Sequence, residues 1–282
     1  MRKNSGQALL IILLVMAVGL TIGLAVISRS VTDIGISRQE EESARVFSVA
    51  EAGIEEALKL GSAPPGGVEI GGITATVSQA NLGKTQEFAF PGEYEVGDTQ
   101  TLWLVEHNTQ GQPDENASGR YTGTSIDLYW GNKGQPSDQK NTPALEVTLI
   151  YKGGGVFKIK RAAFDPNSSR IASNKFELAD SGGSLGYSVG GETFQFRKLG
   201  FSFPSGSIIP YALRLRLLYS DQPQILGVKG VGGNLPSQGT CYESTATNPQ
   251  TGVTRKVRHC QAHKAPPEIF DYVLYSEKDL VK

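Results

Sequence analysis

The sequence predicts an α+β fold: a long N-terminal helix, half membrane-type and half amphipathic, followed by an antiparallel β-sandwich-like domain. Three observations carry that prediction. Residues 8–27 form a run of 20 without a charge, made of 17 apolar residues, two Gly and one Thr. From Ser28 to Leu60 the apolar residues recur at mostly three- and four-residue intervals, with charges between them. From Val68 onward the period changes to two, and glycine-bearing turns separate short apolar runs.

The apolar run comes first. As a helix, 20 residues rise about 30 Å, the thickness of a bilayer's hydrocarbon core. A secretory signal peptide has an apolar core of about 7–15 residues. The run here is longer and continues into a helical pattern. Two further readings are a plain signal anchor and a short leader, residues 1–6, cut before a filament-forming helix. Arg2 and Lys3 precede the run, which puts the N-terminus in the cytoplasm and the bulk of the chain outside.

Beyond the run, Val31, Ile34, Ala44, Phe47, Ala50, Ile54, Ala57 and Leu58 mark the expected apolar face. Arg29, Asp33, Arg38, Glu40 to Glu42, Arg45, Glu51, Glu55 and Glu56 lie between them. No proline occurs before Pro64. One helix from Gln7 to Leu60, about 81 Å long, is therefore expected. Gly61 and the run Pro64–Pro65–Gly66–Gly67 end it. The expected organisation is a leader (1–6), a transmembrane or filament helix (7–60), a linker (61–67) and an external β-rich domain (68–282).

In that domain Leu213, Leu215 and Leu217 alternate with Arg214 and Arg216. Leu145, Val147, Leu149 and Tyr151 form one face of another strand, as do Ile126, Leu128 and Trp130. Further strands are expected at 68–70, 73–77, 101–107, 156–164, 192–198 and 270–275. Many short strands without intervening helices indicate an antiparallel sandwich. Ser181 to Gly191, with five glycines, reads as a surface loop, because no helix pattern follows to make a phosphate cradle.

Cys241 and Cys260 are the chain's two cysteines. Folding residues 240–247 back on 254–261, with Thr247 facing Thr254, sets Cys241 opposite Cys260. The same register brings Glu243 to Arg258 and Thr245 to Lys256, so opposite charges support it. A disulfide clamping the hairpin is predicted, in an oxidising exterior. Two free or metal-bound thiols are the alternative.

The start MRKNSG–QALLIILLVMAVGLTIGLAVI resembles the N-terminus of type IV pilins and type II secretion pseudopilins. The resemblance implies cleavage by a prepilin peptidase between Gly6 and Gln7, with methylation of Gln7. It also implies an initial stay in the inner membrane and later packing against other pilins or pseudopilins. Most of that family carries Glu at the fifth mature position; Ile11 stands here. The exceptions are PilX-like minor pilins and GspK-like pseudopilins, subunits that prime or tip a filament. The segment around Ala50–Glu51–Ala52–Gly53, and the runs Gly252–Val257 and Pro266–Ser276, also resemble PilX-like proteins. An anchor helix of any kind also lacks buried acids, since an ionised group in lipid is costly.

The balance of 27 basic and 28 acidic residues argues against nucleic-acid binding by bulk charge. Gly19 and Gly23 make a GxxxG, read either as a helix-packing contact or as the ordinary glycine content of such helices. His259 and His263 on one strand face would stand about 13 Å apart, too far for one zinc ion. Asp114, Asn116 and Ser118 match the opening of a calcium loop, but its twelfth position is Ser125 and no helices flank it. A polar turn is the alternative. Asn116–Ala117–Ser118 and Asn167–Ser168–Ser169 fit the glycosylation pattern. Trp103 and Trp130 read as core, and Arg214 and Arg216 as a solvated face. No catalytic constellation emerges, so no enzyme activity, cofactor or metal is expected. The expected function is a minor, priming or tip subunit of a type IV pilus or a type II secretion-like pseudopilus, with a surface ligand still to be named. The rival is a signal-anchored surface domain, binding or hydrolytic, that joins no filament.

Overall fold

The computed structural model describes residues 5–108 and 110–267, with side chains from Leu9 onward. One helix, α1 (Ser5–Leu60), precedes a predominantly antiparallel set of β-sheets. It is already helical at Ser5, the first described residue, and ends where Gly61 adopts a left-handed conformation (φ 69°), the usual glycine stop.

The strands follow in chain order: β1 (Val68–Ile70), β2 (Ile73–Gly83), β3 (Glu87–Ala89), β4 (Thr99–Trp103), β5 (Glu106–His107) and β6 (Pro113–Asp114). Next are β7 (Ser125–Asn132), β8 (Ala144–Gly153) and β9 (Val156–Asp165), then a single helical turn, α2 (Ile171–Asn174). After it come β10 (Glu177–Leu178), β11 (Asp180–Ser181), β12 (Tyr187–Val189), β13 (Glu192–Ser202) and β14 (Ile208–Leu218). β15 (Leu226–Val231), β16 (Ser237–Thr247) and β17 (Thr254–Ala262) complete the set. The strand expected at 270–275 lies outside the described residues. The expected surface loop 181–191 carries the short strand β12, paired with β13.

The chain divides into two compact units: residues 1–79 with 242–259, and residues 80–241 with those from Cys260 onward. In the first, α1 lies on the sheet β1-β2-β16-β17. Its core joins Val46, Val49 and Ala50 of the helix to Ile73, Ala75 and Ala246, and Ile54 and Ala57 to Val77 and Tyr242. Alternation explains the sheet's contribution: Ile73, Ala75 and Val77 point inward while Thr74 and Thr76 face water.

The second unit holds a five-stranded sheet, β10-β9-β8-β14-β4, and a six-stranded sheet built on β11-β13-β7-β15-β3. Both feed one core. Leu145, Val147, Leu149, Leu213, Leu215 and Leu217 come from the first sheet; Ile126, Leu128, Trp130, Phe196, Leu226 and Val228 come from the second. The period-two faces read from the sequence are these. Trp130 is fully buried and its indole N–H donates to Pro143 O at 2.9 Å. Trp103 is also buried, in a smaller cluster with Val105 and Ala212. Arg214 departs from expectation. It is not solvated but 4% exposed, donating to Thr101 Oγ1 (3.2 Å) and Pro266 O (3.0 Å). A buried guanidinium needs such acceptors, because its charge is expensive to strip of water.

Candidate functional site

The first unit offers the feature most clearly set up for interaction: a helix that is docked at one end only. Every residue from Leu9 to Glu41 is exposed, a stretch of about 50 Å. It includes the whole described part of the apolar run, with Leu20 and Met16 more than two-thirds exposed. Soluble domains rarely leave so large an apolar surface to water, which marks this stretch as a contact surface for lipid or protein. The helix is long and apolar enough to cross a membrane. Gly19 and Gly23 lie in this stretch, with open space where a Cβ would stand. Gly6 and Gln7 lie in the helix's opening turns.

Docking begins at Glu42. The turn between β16 and β17 reaches the helix there: Asn248 Nδ2 and Thr251 Oγ1 donate to Glu42 Oε1. One step on, the Arg255 guanidinium donates to Ser43 Oγ at 2.6 and 2.8 Å. From Val46 to Ala57 the face in contact is Val46, Val49, Ala50, Gly53, Ile54 and Ala57. Ala50, Ile54 and Ala57 were expected on it. Ala44 and Phe47 were expected too but are exposed, Phe47 by 42%. Gly53 explains how closely the helix sits. A Cβ placed there would collide with Ser244 Oγ and lie 3.1 Å from Val77 Cγ2. Only glycine lets the helix backbone approach β2 and β16 so nearly.

Cys241 and Cys260 form the predicted disulfide. The hairpin around it keeps the expected alignment at its turn, where Thr247 and Thr254 hydroxyls meet at 3.0 Å. The charge pairing is diagonal: Lys256 bridges to Glu243 at 2.7 Å. Two positions apart on facing strands is within reach of a lysine.

The remaining sequence candidates separate from one another. Asp114 Oδ1 accepts the N–H of Asn116 at 2.9 Å, a local turn. The intervening Glu115 is held by Lys152 (2.8 Å) and by the Tyr211 hydroxyl (2.9 Å). Those partners keep its carboxyl below its ordinary proton affinity, and the same contact, with burial, pushes Tyr211 up to about 12. Among the described residues no group of three or more His, Cys, Asp or Glu stands close enough to hold a metal. Asn167 is buried and its Nδ2 donates to Gln139 O, so it is a poor glycosylation acceptor. His259 is exposed, whereas His263 packs on His107.

No protein-family model matches the chain, and no curated protein sequence matches it. Among solved structures, it is similar at 9% identity to the crystal structure of Aeromonas sobria serine protease in complex with its chaperone ORF2. The match covers 74% of this chain and 27% of that one, with a TM-score of 0.19. The chain thus spans about a quarter of that protein, and no fold or activity follows from so low a score.

Proposed function

We propose that the chain is a structural subunit of a helix-packed filament of the type IV pilus or type II secretion pseudopilus kind. In this reading it is a minor, priming or tip subunit, and it is not an enzyme. The observation that carries the proposal is the continuity of α1. One uninterrupted helix runs from a bare apolar half of bilayer length into a half that is built onto a sheet. A plain membrane anchor needs no such rigid extension, whereas a filament subunit uses it to hold its head at a fixed place outside a helical core.

The chemistry of each step follows from the residues. Before assembly, lipid covers Leu9 to Ile27, with the N-terminus cytoplasmic behind Arg2 and Lys3. A prepilin peptidase cuts between Gly6 and Gln7 and methylates Gln7. Matching apolar helices of neighbouring pilins or pseudopilins then replace lipid around the bare half. Ile11 offers no carboxylate to a neighbour's terminal amine, which suits a subunit at the end of a filament. The external domain is a sandwich-like head: both large sheets contribute to one core. Its cell-surface position leaves it free to meet a ligand.

Terminal sequencing of protein extracted from membranes of cells with an active prepilin peptidase tests this reading. The expected start is methylated Gln7. A start at Met1 or Arg2 overturns it and leaves a signal-anchored surface domain.

A further inference from the structure

Three rings meet in the second unit. Trp103, the last residue of β4, stands edge-on to His107 of β5, with centroids 4.7 Å apart. His107 stacks on His263, the first residue after β17, at 3.8 Å and 13°. Four nitrogens of this stack are shut off from water and have no hydrogen-bond partner among the described residues: Trp103 Nε1, both nitrogens of His107, and His263 Nε2. A neutral imidazole carries one N–H, and a buried donor left unpaired costs about 1–3 kcal/mol. Folded proteins hold few such groups, so four in one stack call for a reason. A cavity of about 220 Å³ adjoins, lined in part by Phe88, Tyr94, Trp103 and His263. The orphan nitrogens are sealed from it, so they are not offered to a ligand.

The stack fastens a strap. His263–Pro267 is held by the ring contact, by the His263 N–H donating to Gln238 O (2.9 Å), and by Arg214 Nη1 donating to Pro266 O (3.0 Å). Among the described residues, the charged groups around the rings offer no counter-ion. Glu106, beside His107, faces Lys84 at 3.9 Å, and Asp114 of β6 lies opposite Glu106. Lys264 follows His263 and points to solvent, while β16 presents the neutral Gln238. None of these groups hydrogen-bonds either imidazole.

We propose that the strap His263–Pro267 is an acid-released fastener, closed while both stacked imidazoles are neutral and lifted when one of them takes a proton. A proton on either ring places a charge face to face with the other in a dry site. Burial, and the charge of His263 when present, lower His107 to about 4; burial lowers His263 as well. The sign follows: a lifted His107 regains a value near 6.5, so the open population grows as pH falls below about 6.5, and the gain levels off below about 4. For His107 alone, that difference multiplies the open population about 70-fold between pH 7.5 and 4.5.

Hydrogen exchange read by mass spectrometry on the detergent-solubilised full chain tests this, with rates corrected for intrinsic pH dependence. In a peptide that spans β17 and the strap, the His263 amide, which donates to Gln238 O, is expected to exchange tens of times faster at pH 4.5 than at 7.5, while β7 and β13 stay protected. The His107→Phe/His263→Phe variant keeps a ring stack without titration and is expected to stay closed at pH 4.5. Equal strap protection at both pH values in the natural protein overturns the proposal, as does equal loss in the double variant. If that variant does not fold, NMR of ¹³C-labelled histidine decides: two imidazoles that titrate without a coincident rise in strap exchange also overturn it.

Discussion

Replacing Gly53 by Ala separates two opposed effects at the helix–sheet contact. A glycine in a helix interior costs about 1 kcal/mol relative to alanine, so on a bare helix the substitution stabilises by that amount. Here the new Cβ must displace Ser244 Oγ and sit 3.1 Å from Val77 Cγ2 and 3.3 Å from Ala75 Cβ. Overpacking of that kind costs about 1–3 kcal/mol, and the neighbours are β-strand residues that cannot swing away. The net expectation is a loss of about 1 kcal/mol. Ser244 makes the test sharper. Its hydroxyl is buried with no hydrogen-bond partner among the described residues, so Ser244→Ala alone is expected to be neutral or stabilising by about 1 kcal/mol. In the double variant the main collision is gone and the helix-propensity gain reappears, giving a coupling of about 1 kcal/mol or more. Urea unfolding of the four proteins in detergent, followed by circular dichroism, reads these differences as midpoints. A Gly53→Ala variant more stable by the full helix-propensity gain, with no coupling to Ser244, refutes the close docking and with it the role given to the Ala50–Gly53 segment.

Two further perturbations address the second unit. Asp165, fully buried at its side chain, is paired twice by Arg170 (2.7 and 2.8 Å) and also accepts from Asn174 and the Asn167 N–H. Asp165→Ala is expected to cost about 3–5 kcal/mol in a urea melt, because it strands the guanidinium; Asp165→Ala with Arg170→Met recovers much of that loss. Burial pushes the Asp165 carboxyl up, but Arg170 and the amide donors outweigh it, and the group ends below its ordinary value of 3.8. Its contribution is thus complete above about pH 4 and falls as the pH drops through the folded value, so the melts of Asp165→Ala and the natural protein converge in strong acid. Removing the Cys241–Cys260 bond, by Cys→Ser at both positions, is expected to cost about 3 kcal/mol for a separation of 19 residues, read as a lower urea midpoint that reductant no longer changes.

How far the sequence disclosed this depends on where the signal sits. The C-terminal end of α1 was legible because glycine and proline act locally at Gly61 and Pro64. The hairpin register was legible because two cysteines and opposite charges agreed on one alignment. The docked face of α1 was read in part: Ala50, Ile54 and Ala57 lie on it, while Ala44 and Phe47 do not. Phe47 looked like an anchor by type, whereas the position that decides the contact is Gly53, which has no side chain to announce it. Strand β15 was missed for a related reason. Gly227 and Gly230 interrupt its apolar pattern, yet a Cβ at Gly227 would strike the Phe194 ring, and one at Gly230 would press on Gly233 O. The stack of His107 on His263 joins residues far apart in the chain, and nothing local pairs them. Arg214 looked solvated because alternation gives a face but not what lies over it.

The late contacts on α1 set an order of events. Glu42 waits for Asn248, 206 residues downstream, and Ser43 waits for Arg255, 212 residues downstream. The second half of the helix is made long before β16 and β17, and its sheet lacks those two strands until then. Such long-range closure is slow. During that interval Val46, Val49 and Ile54 have no partner strands and are open to wrong contacts, including those with another nascent copy. The second unit, whose strands from β3 to β15 are contiguous in the chain, can assemble in the meantime. A chain stopped before β16 would therefore combine a formed second unit with an unclad helix, a species suited to recognition by a holding chaperone or a quality-control protease.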